Sequence, residues 1–173
     1  MKKFMMFCLL IATSSLANEK PDAETHPIRG LLSIDLLHVL DVVSTNVPSS
    51  AVVNTVIADK DCVRVGTITT SNGVAVDGDD LILKCDGDHW KLAEKAKPLK
   101  KPFKAGVTVP ELFTLVRGLP LGPKFLSIVV ESERKIHLTT GYIGGPLDGS
   151  GEHFVFEKID GIWKQTGKTH WVS

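Results

Sequence analysis

The sequence predicts an α+β fold that is mainly antiparallel β-sheet, with one long helix near the N-terminus and one short helix in the middle. Residues 31–43 have a helical pattern, and Thr108 and Glu111 have the spacing of a helix capping box. Residues 51–94 and 125–172 consist of short segments rich in Val, Ile and Thr, separated by turn residues. Such segments joined by hairpin turns are typical of antiparallel strands.

The first helix is expected over residues 31–43. Its polar residues Asp35, His38 and Asp41 recur every three positions and form one narrow stripe, whereas most other positions hold Leu, Ile or Val. A helix this apolar must be largely buried. The polar residues 46–50, with Pro48, end it.

Two runs of strands are expected, one after each helix. The first run comprises residues 51–58, 62–70, 81–85 and 89–94, with turns at residues 71–73, 77–80 and 86–88. The short helix is expected over residues 111–117, closed by Gly118 and Pro120. The second run comprises residues 125–131, 135–143, 152–159 and 162–172, with a tight turn at residues 160–161.

The two runs end on similar short sequences. Residues 83–87 read LKCDG and lead to Trp90, and residues 157–161 read EKIDG and lead to Trp163. Two explanations stay open. The chain is a duplicated αββββ unit, or the match is a coincidence, because Asp-Gly turns before aromatic strands are common.

A fold of two such units, with helices packed on an antiparallel sheet, is similar in outline to the secreted β-lactamase inhibitor proteins. The similarity is one of layout, because no distinctive motif of that family is matched and only one half of this chain holds two cysteines. The elements also fit one strongly curved sheet around the first helix, as in cystatin-like and nuclear-transport-factor-like folds. Both layouts leave function open.

The N-terminus predicts export. Residues 1–17 have the basic start, short apolar run and small-residue end of a cleavable signal peptide, so we expect a secreted or periplasmic protein beginning at Asn18. No later segment has the ~20 continuous apolar residues of a membrane-spanning helix. The rest of the chain is expected to consist of a flexible leader at 18–30, a first half at 31–95, a Lys- and Pro-rich linker at 96–107 and a second half at 108–173. The two halves are expected to form one compact domain.

Charge argues against a nucleic-acid partner. The chain has 20 basic and 20 acidic residues, without the basic excess of nucleic-acid-binding proteins. A weak contact with an anionic envelope surface is an alternative role for the lysines in and next to the linker. These are Lys95, Lys97, Lys100, Lys101 and Lys104.

Cysteine use predicts a disulfide. Cys8 lies inside the signal, which leaves Cys62 and Cys85 in a compartment where disulfides persist. Cys85 alternates with Leu81 and Leu83, so the bridge is expected against the core. By the chain-entropy model it would stabilise the fold by about 3 kcal/mol. Two unpaired thiols are the alternative.

Three groups of residues are candidates for functional sites. The stripe of Asp35, His38 and Asp41 would line a pocket beside the first helix if it is not simply a solvated face. His137 is expected to face Glu157 across a hairpin as a surface ion pair. The glycine-rich segment 141–151 is expected to be a long hairpin connection that either contacts a partner or has no role in binding. Its candidate binding residues are Gly144, Gly145, Asp148 and Ser150.

These observations favour a non-catalytic binding protein, such as an inhibitor or immunity-type partner of another exported protein. The sequence contains no assembled nucleophile, base or metal-ligand set, so no catalytic residue, metal or cofactor is assigned. The alternative is a small-ligand binder or minor hydrolase of cystatin-like or nuclear-transport-factor-like shape, with its pocket near the first helix.

Overall fold

The computed structural model describes residues 28–71, 74–97, 105–119, 124–145 and 147–173. The expected signal peptide, residues 18–27 of the leader and residues 98–104 of the linker lie outside the described residues, and Lys100, Lys101 and Lys104 lie outside with them. The last part of the expected leader is ordered into a strand, because Ile28 and Arg29 pair with Ile143 and Tyr142.

The described chain is mainly antiparallel β-sheet with two helices, as expected. The helices are α1 (Ser33–Asn46) and α2 (Val109–Arg117). The leader supplies β1 (Ile28–Arg29), and the strands of the first half are β2 (Val52–Ala58), β3 (Cys62–Ser71), β4 (Val74–Asp86) and β5 (His89–Ala96). Those of the second half are β6 (Val107–Thr108), β7 (Phe125–Ser132), β8 (Lys135–Gly145), β9 (Asp148–Ile159) and β10 (Ile162–Val172).

All the strands belong to one sheet with the order β10-β9-β8-β7-β2-β3-β4-β5, to which β1 adds at β8 and β6 at β2. Each helix is therefore followed by a four-strand antiparallel meander. The two meanders meet at their first strands, where Val56 of β2 pairs with Ile128 of β7.

The two halves are arranged reciprocally about this central pair. Leu31, two residues before α1, bridges Phe125 at the start of β7, and Val107, two residues before α2, pairs with Val53 at the start of β2. The helices also bury residues with the same spacing. These are Ser33, Leu36, Val39 and Leu40 in α1, and Val109, Leu112, Leu115 and Val116 in α2.

One face of the sheet and both helices enclose a single hydrophobic core. Alternation along the strands supplies the sheet side: Val63 and Val65 of β3 and Ile136 and Leu138 of β8 are almost completely buried. The helices pack against each other, and α1 also packs on β5. The sheet is therefore not wrapped around the first helix alone.

Local signals explain where the helices begin. In α2, the Thr108 hydroxyl accepts a hydrogen bond from the Glu111 N–H, and the Thr108 N–H donates to the Glu111 carboxylate over 3.1 Å, which confirms the capping box. α1 starts later than expected because Leu31 is held in the bridge to Phe125. Its first carboxylate, Asp35, accepts from the Leu32 N–H at 3.3 Å.

The expected turn at residues 77–80 is wrong. These residues lie inside β4, opposite β3, and a register shift between Gly66 and Ile68 absorbs the irregularity. A β-bulge places one extra residue in a strand without ending it. Acidic and glycine residues in this segment therefore mark a bulge and not a turn.

The expected disulfide between Cys62 and Cys85 is also wrong, because both thiols are free. Cys62 pairs with Lys84 across β3 and β4, and Cys85 is the next residue along β4. Neighbouring residues of a strand point to opposite faces, so the two side chains diverge. Cysteines whose Cβ vectors point apart cannot be bridged without moving the backbone.

Cys62 and Cys85 should therefore both carry free thiols in the native protein. Alkylation after denaturation without reductant should label the peptides of both Cys62 and Cys85, to the same extent as in a reduced control. In the folded protein Cys85 should react faster, because it is exposed, whereas partial burial and then the nearby Asp59 carboxylate raise the pKa of Cys62. Recovery of a linked peptide pair by mass spectrometry would contradict this register.

Candidate functional site

The sheet face opposite the helices carries a connected group of polar and apolar side chains. Cross-strand pairing aligns them in two rows over β2, β7, β8, β9 and β10. We call this surface the histidine face. It consists of Thr55, Val129, His137 and Val155 in one row, and of Ile57, Ser127, Thr139, His153 and Thr169 in the other.

These side chains are partly exposed, although they lie on central strands. Ile57 is 38% exposed and the His137 side chain 25% exposed. On the other face of the same strands, Ile128, Val130 and Ile136 are buried in the core. Because side chains alternate along each strand, the sheet has one accessible face and one face that is buried in the core.

Five side chains on this surface form a continuous hydrogen-bonded chain. Nε2 of His137 contacts the Glu131 carboxylate, which also lies 3.1 Å from Nζ of Lys135. Nδ1 of His137 lies 3.1 Å from Nε2 of His153. Nδ1 of His153 lies 3.2 Å from the Thr139 hydroxyl. We call four of these side chains, Glu131, His137, His153 and Thr139, the histidine chain, and Lys135 is its neighbour at the Glu131 end.

The proton positions in the histidine chain follow from what each group can donate. A carboxylate only accepts, so His137 donates its Nε2–H to Glu131 and accepts at Nδ1 when neutral. His153 then donates its Nε2–H to His137, and the Thr139 hydroxyl donates to Nδ1 of His153. Every nitrogen is satisfied with both imidazoles neutral and in the same tautomer.

The pKa shifts at the two ends of the histidine chain favour opposite charge states, a charged carboxylate and a neutral imidazole. The hydrogen bond from His137, and next that from Lys135, lower the pKa of the Glu131 carboxyl. Burial, and then repulsion from His137, lower the pKa of His153 from its ordinary 6.5. At neutral pH the chain therefore holds an ionised carboxylate at one end and a neutral imidazole near the other.

Sequence reasoning placed His137 on the correct face but gave it the wrong partner. Glu157 pairs with Lys135 and not with His137, whose cross-strand neighbour on β9 is Val155. The partners found are Glu131, at a register shift in β7, and the diagonal residue His153. Diagonal contacts depend on register, which periodicity alone does not supply.

The glycine-rich segment is strand and not a long loop. Gly144 and Gly145 lie in β8, and Asp148 and Ser150 lie in β9, whose first residue pairs with Gly145. The backbones of Gly141 and Gly151 approach so closely that a Cβ on Gly151 would lie 1.8 Å from the Thr140 carbonyl oxygen.

These glycines therefore have a backbone role. Gly141 has φ +125, a conformation that L side chains rarely adopt. The indole of Trp171 lies beside the paired glycines and donates to the Thr140 carbonyl over 3.0 Å. Close packing of β8, β9 and β10 thus accounts for the glycine density.

A polar cleft of about 480 Å³ lies where α2 begins, next to the turns after β7 and β9. Glu111 and Lys158 form an ion pair within it. Burial alone would raise the pKa of Glu111, but hydrogen bonds from Lys158 and Thr108 outweigh burial and the net shift is downward. The ion pair joins α2 to β9, and the capping box holds the same carboxylate at the start of the helix.

A second cleft, of about 420 Å³, lies between α1 and the turn that begins β5. His38 and Asp41 of the predicted stripe line it together with His89 and Trp90. Asp35 is not part of its lining and caps α1 instead. The structure therefore brings together two of the three residues expected there.

The described lysines of the linker region are Lys95 and Lys97. Both are exposed, and Nζ of Lys95 lies 3.3 Å from the Asn46 carbonyl oxygen. Within the described ranges, no helix is long and apolar enough to cross a membrane. The same residues contain no group of three or more His, Cys, Asp or Glu side chains arranged to hold a metal ion.

Comparison with protein-family models, with curated proteins and with solved structures finds no match to this chain. The likeness to the β-lactamase inhibitor proteins therefore stays one of layout.

The Glu111–Lys158 contact should make stability depend on pH. Glu111→Gln should lower the free energy of unfolding by about 1 kcal/mol or less at neutral pH, since a partly exposed ion pair is lost while the Gln side-chain oxygen can still accept from the Thr108 N–H. The folded-state pKa is below 4.5, so this stabilisation is present above pH 4.5 and disappears as the pH falls through the folded value.

Urea unfolding at several pH values measures this difference. Glu133→Gln is the matched control, because Glu133 is an exposed carboxylate at the same cleft. A Glu111→Gln deficit that is unchanged at low pH would show that the ionised carboxylate is not its cause.

Proposed function

We propose that this protein is an exported, non-catalytic binding protein that docks another exported protein on its histidine face. The observation that carries the proposal is the sheet face itself. Both helices pack on the other side, so no described helix covers the partly exposed residues of the histidine face. Export is supported by the signal-like residues 1–17 and by nothing else in the chain.

The size of the sheet favours a protein over a small molecule. Eight strands at about 4.8 Å spacing make a face ~34 Å wide. A strand as long as β2, with seven residues, is ~24 Å long. The whole open face therefore has an area of roughly 800 Å², about what one partner contributes to a standard protein–protein interface, and the histidine face is the part of it that lies over five strands.

The composition of the histidine face also suits a protein partner. It combines apolar side chains, such as Ile57 and Val155, with imidazoles and hydroxyls and has few charges at its centre. Interface cores are depleted of charged residues in the same way. Lys135, Glu157 and Lys164 form a charged row along one side, which resembles an interface rim.

Catalysis by the histidine chain is disfavoured by its place in the sheet. Thr139 touches His153 as a nucleophile touches its base, but Thr139 pairs with Ser127 on one side and His153 on the other. Backbone N–H groups in such ladders are already hydrogen-bonded. They are not free to stabilise an oxyanion.

We further propose that the two halves arose by duplication of an αββββ unit. The reciprocal bridges of Leu31 and Val107 and the matching spacing of buried helix residues support this. After duplication the outer faces diverged in chemistry. The histidine chain lies in the second half, whereas the corresponding part of the first half carries Arg64 beside the buried Asp80.

Substituting the centre of the histidine face should abolish docking. Tagged mature protein should retain a specific partner from its native compartment, and Ile57→Lys should reduce retention by about tenfold or more, because a charge is placed in the apolar part of the contact. Ile34→Lys is the matched control, since Ile34 is 53% exposed on α1.

Pull-down followed by mass spectrometry measures retention, and circular dichroism checks that both variants fold. Loss of the partner in both variants, or in neither, would contradict docking on the histidine face. Failure of the wild-type chain to retain any protein would count against the binding function as a whole.

A second candidate function is small-ligand binding in the cleft beside α1. The cleft volume and the presence of His38, Asp41 and Trp90 in its lining favour it. Weak contact of Lys95 and Lys97 with anionic envelopes is a further possibility, supported only by their charge and exposure.

His38→Ala should leave partner retention within about twofold of wild type, because His38 lies on the helix side of the sheet, away from the histidine face. The same pull-down, quantified for both proteins, measures this. A selective loss of retention in His38→Ala, with Ile57→Lys unaffected, would move the binding function to the α1 cleft.

A further inference from the structure

The imidazoles of His137 and His153 meet nitrogen to nitrogen. Nδ1 of His137 and Nε2 of His153 are 3.1 Å apart, the ring centroids are 5.3 Å apart and the ring planes differ by 24°. This centroid separation is close to that of two imidazoles placed end to end and joined by an N–H···N hydrogen bond. The gap between the two nitrogens holds one proton.

The number of protons on the pair determines whether the contact can exist. With both rings neutral, His153 donates to His137. If His137 takes a proton at Nδ1, the contact survives with reversed direction, because His153 becomes the acceptor and its Nδ1–H donates to the Thr139 oxygen. A second proton places N–H against N–H and two positive charges side by side, so the rings must separate.

The surroundings make these two steps unequal. The Glu131 carboxylate of β7 contacts both the His137 imidazole and the ammonium group of Lys135 on β8. Glu157 of β9 and Lys164 of β10 face each other in the next row, and Thr169 of β10, which is uncharged, lies opposite His153. Burial and the neighbouring His137 both oppose the second proton on His153.

We propose that the His137–His153 pair is a proton-operated switch of the histidine face. This switch rests on the proposed docking function. A partner binds when the two rings are joined near neutral pH, and it is released when acidification separates the rings. Histidine pairs are suited to this role because their charge changes between about pH 5 and 8.

Imidazole nitrogen NMR of the full mature chain, recorded from about pH 8 to pH 4, tests the switch without a partner. Both rings should be Nε2–H tautomers at the start and should take up protons in two separate steps. In His137→Gln, His153 should become protonated at higher pH than in wild type, because its like-charged neighbour is gone. His170→Gln, at an exposed site on β10, is the matched control.

Independent titration of the two rings in wild type, with the His153 titration unchanged in His137→Gln, would overturn the switch. A second test measures the Kd for the captured partner at about pH 7.5 and about pH 5.5. Wild type should bind about tenfold more weakly at the lower pH, and His153→Gln should lose most of this difference. Equal affinity at both pH values would overturn the switch and leave docking intact.

The failure of docking can be recognised separately. If the NMR steps are coupled as expected but no partner is retained at any pH, the proposed function is overturned. The proton-coupled pair then stands as a property of the free protein.

Discussion

The antiparallel pairing of β2 with β7 is the constraint on which the rest of the structure depends. It joins the first strands of the two meanders, so that eight strands form one sheet and not two. Segments before each helix pair with the opposite half, which places both helices over the same side. The other side is left without a described helix across its whole width, and the histidine face follows from that.

Polar groups on this open face still have to be satisfied, because neighbouring strands partly bury them. Water reaches His137 only in part, since its side chain is 25% exposed. An unsatisfied polar group in such a place costs about 1–3 kcal/mol. The one-directional chain from Thr139 to Glu131 avoids this cost, and it also fixes the tautomers of both imidazoles.

Local patterns in the sequence were sufficient for most elements. Apolar periodicity located α1, the Thr108–Glu111 spacing located the start of α2, and alternation located most of the strands. Pairing register was not predictable, because it depends on bulges that composition does not reveal. One residue of register separates Cys62 from Cys85, and a diagonal contact joins His137 to His153. The disulfide was therefore predicted wrongly and the histidine chain was missed.

The rigidity of the sheet determines what protonation of the histidine chain can change. The residues that alternate with its members, Val130, Ile136 and Leu138, are almost completely buried in the core and hold β7 and β8 in place. Densely packed cores resist small displacements, so the strands cannot separate to relieve two facing charges. The strain has to be relieved by rotation of the imidazoles toward solvent on the open face. A proton taken up there therefore alters the shape and charge of the histidine face while the core on the other side stays closed.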